Sequence, residues 1–168
     1  MLCFFVTDLH GSDHRYQRLV TLIRERRPDA VFIGGDLLPG GASLTGGEQE
    51  FFGGYLKPML TELRSELADN YPELFVILGN DDPRVVVPDV KALAADGLWH
   101  YVHDTRQSLA GYQIYGYACI PPTPFHLKDW ERYDVSRYVD PGAVSPEEGF
   151  RTVDADRSDV RYGTIAED

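Results

Sequence analysis

Cysteine is scarce in this chain of 168 residues, with Cys3 and Cys119 the only two. Both lie in apolar or aromatic segments, where a free thiol behaves as a small hydrophobic side chain. We therefore expect two reduced, buried cysteines and a cytoplasmic protein. A small secreted domain held together by disulfides is disfavoured by the same count.

Basic residues are also few, since 16 Lys and Arg stand against 27 Asp and Glu, giving a formal net charge of −11. Proteins that hold nucleic acid through its phosphates need a basic face, so we expect no stable nucleic-acid binding. An acidic chain can still bind phosphate compounds when metal ions supply the positive charge. The charge balance therefore leaves phosphate chemistry open but makes it dependent on cations.

Long apolar runs are missing as well. The apolar N-terminal stretch is short and carries no preceding basic region, and it meets Asp8 almost at once. We expect neither a signal peptide nor a membrane span there. With 43% hydrophobic and 26% charged residues, the composition is that of an ordinary globular protein, and the length predicts one domain over residues 1–168.

Strand and helix patterns alternate through the first half of the chain. Short apolar runs at residues 2–7, 30–33 and 74–78 predict buried strands. A helix with Ser12 as its N-cap separates the first two, and a second helix, interrupted at Gly53-Gly54 and Pro58, separates the next two. Thr45 and Glu48 have the spacing of a capping box for that second helix. The order predicts an α/β fold with parallel neighbouring strands.

The second half of the chain does not continue the alternation of strand and helix patterns. Residues 99–103, 107–110 and 112–119 predict further strands, and residues 120–168 read as an irregular tail that bears Pro and Gly. Such a tail is long for a structureless segment of a compact domain. Residues 164–167 also have the capping-box pattern that normally opens a helix. We therefore expect the sequence to be the N-terminal part of a larger, incomplete fold.

Polar side chains follow each of the first three predicted strands. Asp8 and His10 come after the first strand, Asp36 after the second and Asn80 after the third. The carboxyl ends of parallel strands share one edge of a sheet, so these residues can converge. Carboxylate, amide and imidazole donors together suit Mn, Fe or Zn better than calcium. Taken singly, each motif could equally be a helix cap or a turn; three in succession predict a metal site bridged by Asp36.

The same residues resemble the motifs of the calcineurin-like metallophosphoesterases. The family pattern D-x-H, G-D and G-N-H-D/E is matched by Asp8-Leu9-His10, Gly35-Asp36 and Gly79-Asn80-Asp81-Asp82. The resemblance implies a metallophosphoesterase-like sandwich of β-sheets flanked by helices. It further implies that Asp8 and His10 hold one metal ion, Asp36 bridges two, and Asn80 holds the other. The implied reaction is hydrolysis of phosphate mono- or diesters by a water activated by two divalent ions.

Two departures from the family pattern stand out. The later family ligands, a lone His and a G-H-x-H motif, have no counterpart in this chain. Asp81 stands where the family has a histidine that contacts the phosphate and assists the leaving group, with Asp82 as its orienting neighbour. An ordinary Asp is ionised near neutral pH and cannot donate a proton. We expect Asp81 to give weak help to poor leaving groups, or only to cap the turn before Pro83.

Three hypotheses follow for the function. The first is a metal-dependent phosphoesterase with Asp81 and Asp82 in the catalytic machinery and a phosphate ester as substrate. The second is a truncated or catalytically inactive domain of the same fold that acts as a protein-interaction scaffold. The third is completion by a second chain, which would make a homo-oligomer. An uncovered sheet face should then expose an apolar patch large enough to drive association.

Overall fold

The computed structural model describes residues 1–40, 50–153 and 163–168. Four short parallel strands form its central sheet in the order of the sequence. These strands are β1 (Cys3–Val6), β2 (Ala30–Ile33), β3 (Glu73–Val76) and β4 (His100–Tyr101). In register, Val31 pairs with Phe4 on one side and with Leu74 on the other. The predicted α/β fold with parallel strands is confirmed, and all four carboxyl ends lie at one edge of the sheet.

The first helix, α1 (Asp13–Arg26), connects β1 to β2 and buries Tyr16, Val20 and Ile23 against the sheet. Ser12 takes the N-cap position with extended backbone, although its side chain makes no capping hydrogen bond. Arg27 ends the helix in the left-handed conformation, and its N–H donates to the Ile23 carbonyl at 2.9 Å. The predicted helix is therefore present, and it leads the chain back so that β2 pairs in parallel with β1.

The second helical segment changes type along its length. Residues Glu50–Leu56 form a π-helix, and α2 (Lys57–Leu67) continues from it as an α-helix. At the predicted interruption the structure shows this change of helix type, and Pro58, which has no N–H to donate, stands in the first turn of α2. Leucines at positions 60, 63 and 67 face the core. The capping box predicted for Thr45 and Glu48 lies outside the described residues.

The third helix, α3 (Val87–Ala95), leads into β4, and an antiparallel hairpin of β5 (Thr105–Leu109) and β6 (Tyr112–Gly116) follows. The hairpin covers part of the second face of the sheet, where Leu109 packs in a small cluster with Phe75 and Val102. The strands predicted at 99–103, 107–110 and 112–119 are thus present with shifted or shortened bounds. His103 lies two residues beyond β4, in contrast to the strand position predicted for it.

Residues 120–153 form turns and isolated bridges that pack onto the loops at the carboxyl ends of the strands. Trp130 joins the main core and is 1% exposed. Lys128 and Glu131 form an ion pair in which both side chains are fully buried. The capping box at Thr164 and Glu167 is present, and it opens a 3₁₀ turn over Ile165–Glu167. Within the described residues, none of the helices is both long and apolar enough to cross a membrane.

The cysteine predictions are partly wrong. Both thiols are free, but Cys3 is exposed and Cys119 only half-buried. The reason is topological: β1 stands at the edge of the sheet, and the face that carries Cys3 and Phe5 is uncovered, with Phe5 74% exposed. Composition could not reveal this, because an edge strand and a central strand can have the same apolar sequence.

Candidate metal centre

Two loops run side by side at the carboxyl ends of β1 and β2. The N–H of Asp8 donates to the Gly35 carbonyl at 3.2 Å, and that of His10 donates to the Asp36 carbonyl at 2.8 Å. One residue further, the N–H of Gly11 donates to the Leu37 carbonyl at 2.7 Å. These bonds continue the pairing of the strands into the loops and hold the first two motifs at a fixed distance from each other.

Asp8, His10 and Asp36 present a compact set of ligand atoms. One oxygen of each carboxylate and one imidazole nitrogen lie within 4.8 Å of one another. All three residues have left-handed backbone, with φ of +59° for Asp8, +47° for His10 and +54° for Asp36. Non-glycine residues rarely adopt this conformation, and its strain is commonly found at functional sites. The backbone therefore turns at each of these residues and aims its side chain into the shared space.

The loop after β3 approaches the same point. The N–H of Asp81 donates to Oδ1 of Asp36 at 2.9 Å. Gly35 and Gly79 touch through their backbones, because a Cβ on Gly35 would overlap the Gly79 backbone and a Cβ on Gly79 would overlap Asp36. Asn80 is half-buried and lies between two residues that contact Asp36. The third motif thus reaches the site, with its backbone against the Asp36 carboxylate.

The imidazole of His10 stands between two carboxylates. Its Nε2 lies 3.6 Å from Oδ1 of Asp8, and its Nδ1 lies 3.5 Å from Oδ2 of Asp81. Partial burial and the nearby Asp36 charge raise the pKa of the Asp81 carboxyl, while His10 lowers it. In the loop after β3, the Asp81 carboxylate therefore faces the imidazole of His10.

Asp82 points away from this open space and into the protein. It is fully buried, and its carboxylate accepts the N–H groups of Leu37 at 2.8 Å, Leu38 at 3.0 Å and Gly79 at 2.9 Å. Burial raises the pKa of Asp82 to about 6, although the three N–H donors act in the opposite direction. Asp82 thereby ties the loop after β3 to the loop after β2.

Several residues that hold these loops were missed by sequence reasoning. The indole N–H of Trp130 donates to the Asp82 carbonyl at 2.8 Å. Asp129 accepts the N–H of Arg84 at 2.6 Å, and the hydroxyl of Tyr16 donates to the Leu37 carbonyl at 3.0 Å. The segment around Trp130 has no periodicity that would have marked it. Tyr16 was expected only as an apolar position of α1.

The other four histidines, His14, His100, His103 and His126, are not members of this cluster. His14 is exposed, as expected. His100 faces Glu73 at 2.6 Å, and His103 accepts the N–H of Ala118 at 3.1 Å. Within the described ranges, Asp8, His10 and Asp36 form the one group of His, Cys, Asp and Glu side chains with metal-ligand spacing.

The donor set fits a divalent cation. Two carboxylates and an imidazole are ligands that Mn, Fe and Zn accept. The side chains of Asp8 and His10 are 58% and 35% exposed, so an ion can reach them. Among the described residues, Oδ2 of Asp36 has no hydrogen-bond donor, while Oδ1 is held by Asp81. One oxygen of the central carboxylate is therefore available to a metal.

The family of the chain comes from comparison with family models. The family model described as calcineurin-like phosphoesterase matches residues 1–155. One solved crystal structure is similar at 17% identity, with a TM-score of 0.46, over 68% of this chain and 51% of that chain. This protein therefore spans about half the length of that structure. No curated protein sequence matches it. With the family model covering nearly the whole sequence, the chain belongs to the calcineurin-like phosphoesterase family.

Proposed function

We propose that this protein binds divalent metal ions through Asp8, His10, Asp36 and Asn80 and hydrolyses phosphate mono- or diesters. One observation carries the proposal: three ligands from two separate strand ends lie within 4.8 Å of one another. The family membership of the chain supports the choice of phosphate esters as substrates. A cytoplasmic location and the choice of Mn, Fe or Zn belong to the same proposal.

The roles of the ligands in this proposal are those that the family resemblance implies. Asp8 and His10 would hold one ion, Asn80 would hold a second from the loop after β3, and Asp36 would serve both. Divalent ions at this place would polarise the phosphoryl oxygens and lower the pKa of a bound water. The chain itself fixes the ligands in place. Hydrogen bonds join the loops after β1 and β2, and the Asp82 carboxylate accepts N–H groups from the loops after β2 and β3.

Asp81 has two candidate roles, to orient the imidazole of His10 or to protonate the leaving group. Its geometry favours the first. Metal-binding histidines usually keep their second ring nitrogen against a carboxylate or carbonyl, which fixes the ring. The 3.5 Å separation of Oδ2 of Asp81 from Nδ1 of His10 suits that role, with Nε2 of His10 turned towards Asp8. We assign Asp81 the orientation of His10, with little capacity to protonate a leaving group. The enzyme should then prefer esters whose leaving groups are already acidic.

A series of aryl phosphate esters with graded leaving-group pKa tests this assignment. With Mn²⁺ present, we expect the rate of the wild type to fall steeply as the leaving group becomes more basic. Asp81→His restores a possible proton donor and should flatten that dependence. Asp69→His, the same substitution at an exposed residue in the 3₁₀ turn before β3, serves as the control. An identical dependence in wild type and Asp81→His would refute the role given to Asp81.

A non-catalytic scaffold is the second candidate, and the carboxylate at position 81 is the observation that favours it. The two candidates differ in one measurable respect. A scaffold that has kept its ligands would bind Mn²⁺ without turning over any ester of the series, whereas the proposed hydrolase shows metal-dependent turnover. Loss of both metal binding and turnover on Asp36→Asn supports the hydrolase.

A further inference from the structure

The carboxylate of Asp129 joins the segment around Trp130 to the loop after β3. Asp129 is 1% exposed, and its Oδ2 accepts the N–H of Arg84 at 2.6 Å and the hydroxyl of Thr152 at 2.5 Å. Its Oδ1 accepts the N–H of Thr152 at 2.9 Å. The hydroxyl of Thr152 in turn accepts the N–H of Val85 at 3.0 Å. Asp129 and Thr152 therefore hold two consecutive backbone N–H groups at the far end of this loop.

The two chain segments that carry these residues are bonded to each other. The N–H of Lys128 donates to the Phe150 carbonyl at 2.9 Å, and the N–H of Phe150 donates to the His126 carbonyl at 2.9 Å. The side chain of Arg151 also donates to the Lys128 carbonyl. The fully buried ion pair of Lys128 and Glu131 lies in the same segment. Because buried charges are costly without close partners, this pair fixes the local geometry. The carboxylate that binds the loop is therefore held in a defined position.

The loop that they hold is short and carries the third of the predicted metal-binding motifs. Arg84 follows Asn80 by four residues. The near end of the loop is fixed inside the site, where the N–H of Asp81 donates to Oδ1 of Asp36 at 2.9 Å. The far end is fixed at Arg84 by the Asp129 carboxylate. A displacement of Arg84 must therefore reach Asn80 through a few backbone bonds.

We propose that Asp129 and Thr152 are positioning residues of the metal centre. Through the N–H groups of Arg84 and Val85, they fix the place from which Asn80 binds the second ion. The hydroxyl of Thr152 is the essential group, because it donates to Asp129 and accepts from Val85 at once. The irregular segment that carries these residues is then part of the scaffold of the metal centre. This inference rests on the proposed function, since it requires the metal ions.

Two substitutions of Thr152 separate the effect of its hydroxyl from that of its methyl group. Thr152→Val has a similar shape but no hydroxyl, whereas Thr152→Ser keeps the hydroxyl. In calorimetric titrations with Mn²⁺, we expect Thr152→Val to weaken the binding of one ion by roughly tenfold and Thr152→Ser to bind as the wild type does. Tyr71→Phe is the control for a lost hydrogen bond, because the Tyr71 hydroxyl donates to the Leu98 carbonyl at 2.8 Å, at the amino end of β3. It should leave Mn²⁺ binding unchanged.

A double-mutant cycle with Asn80→Ala tests whether the effect passes through Asn80. In the Asn80→Ala background, Thr152→Val should weaken Mn²⁺ binding no further, because the ligand that it positions is absent. The inference alone is overturned if Thr152→Val binds Mn²⁺ as the wild type does, if Thr152→Ser or Tyr71→Phe loses as much affinity, or if the two effects in the cycle are additive. A wild type that binds no Mn²⁺ would instead refute the proposed function, and this inference with it.

Discussion

Replacement of Gly79 by alanine tests the close contact between the loop after β2 and the loop after β3. A Cβ on Gly79 would lie 2.7 Å from Cγ of Asp36, whereas ordinary contact begins at 3.4 Å. Asp36 or the loop after β3 must therefore move by at least about 0.7 Å. Overpacking of this kind costs about 1–3 kcal/mol of unfolding free energy. A ligand displaced by such a distance should also lower the affinity for a divalent ion by about 10–100-fold.

Urea unfolding and Mn²⁺ titration of Gly79→Ala measure the two effects separately. Gly53→Ala is the matched control, because a Cβ on Gly53 meets nothing within 4 Å and the residue lies in a helix. The control should keep its Mn²⁺ affinity and gain up to about 1 kcal/mol of stability. If Gly79→Ala bound Mn²⁺ and resisted urea as the wild type does, the close approach of Gly79 to Asp36 would be refuted.

Three further outcomes are expected. Because burial raises the pKa of Asp82 from 3.8 to about 6, folding of the metal-free protein takes up a proton between those values. Its unfolding free energy should therefore fall by about 3 kcal/mol as the pH rises from about 3 to about 7, and Asp82→Asn should remove this fall. Trp130→Phe leaves the buried Asp82 carbonyl without a donor and should cost about 1–3 kcal/mol in urea unfolding. Asp81→Asn should weaken Mn²⁺ binding by about tenfold if Asp81 orients His10, and an unchanged affinity would contradict that role.

The sequence was sufficient to predict the convergence of the first two motifs. Short apolar runs joined by a helix predict parallel strands, and the carboxyl ends of parallel strands necessarily meet at one edge. Asp8, His10 and Asp36 could be placed together for that reason, before any coordinate was known. Left-handed backbone at these residues was not foreseeable, since no glycine marks the three positions.

The contacts between residues far apart in the chain could not be predicted from the sequence. The family resemblance implied that Asp82 orients the neighbouring side chain of Asp81. The fold instead turns Asp82 inward to accept N–H groups from Leu37 and Leu38, which are 45 and 44 residues away. Trp130 reaches the Asp82 carbonyl from 48 residues away, in a segment with no pattern. Such pairings depend on the packed tertiary structure and have no local signature.

Mn²⁺ binding to the wild type and to Asp36→Asn, followed by isothermal titration calorimetry, tests the central claim most directly. We expect the wild type to bind about two ions per chain and Asp36→Asn to lose at least one of them, because the bridging carboxylate is removed. Asp69→Asn should titrate as the wild type does. An unchanged stoichiometry and affinity in Asp36→Asn would show that Asp8, His10 and Asp36 do not form the metal centre.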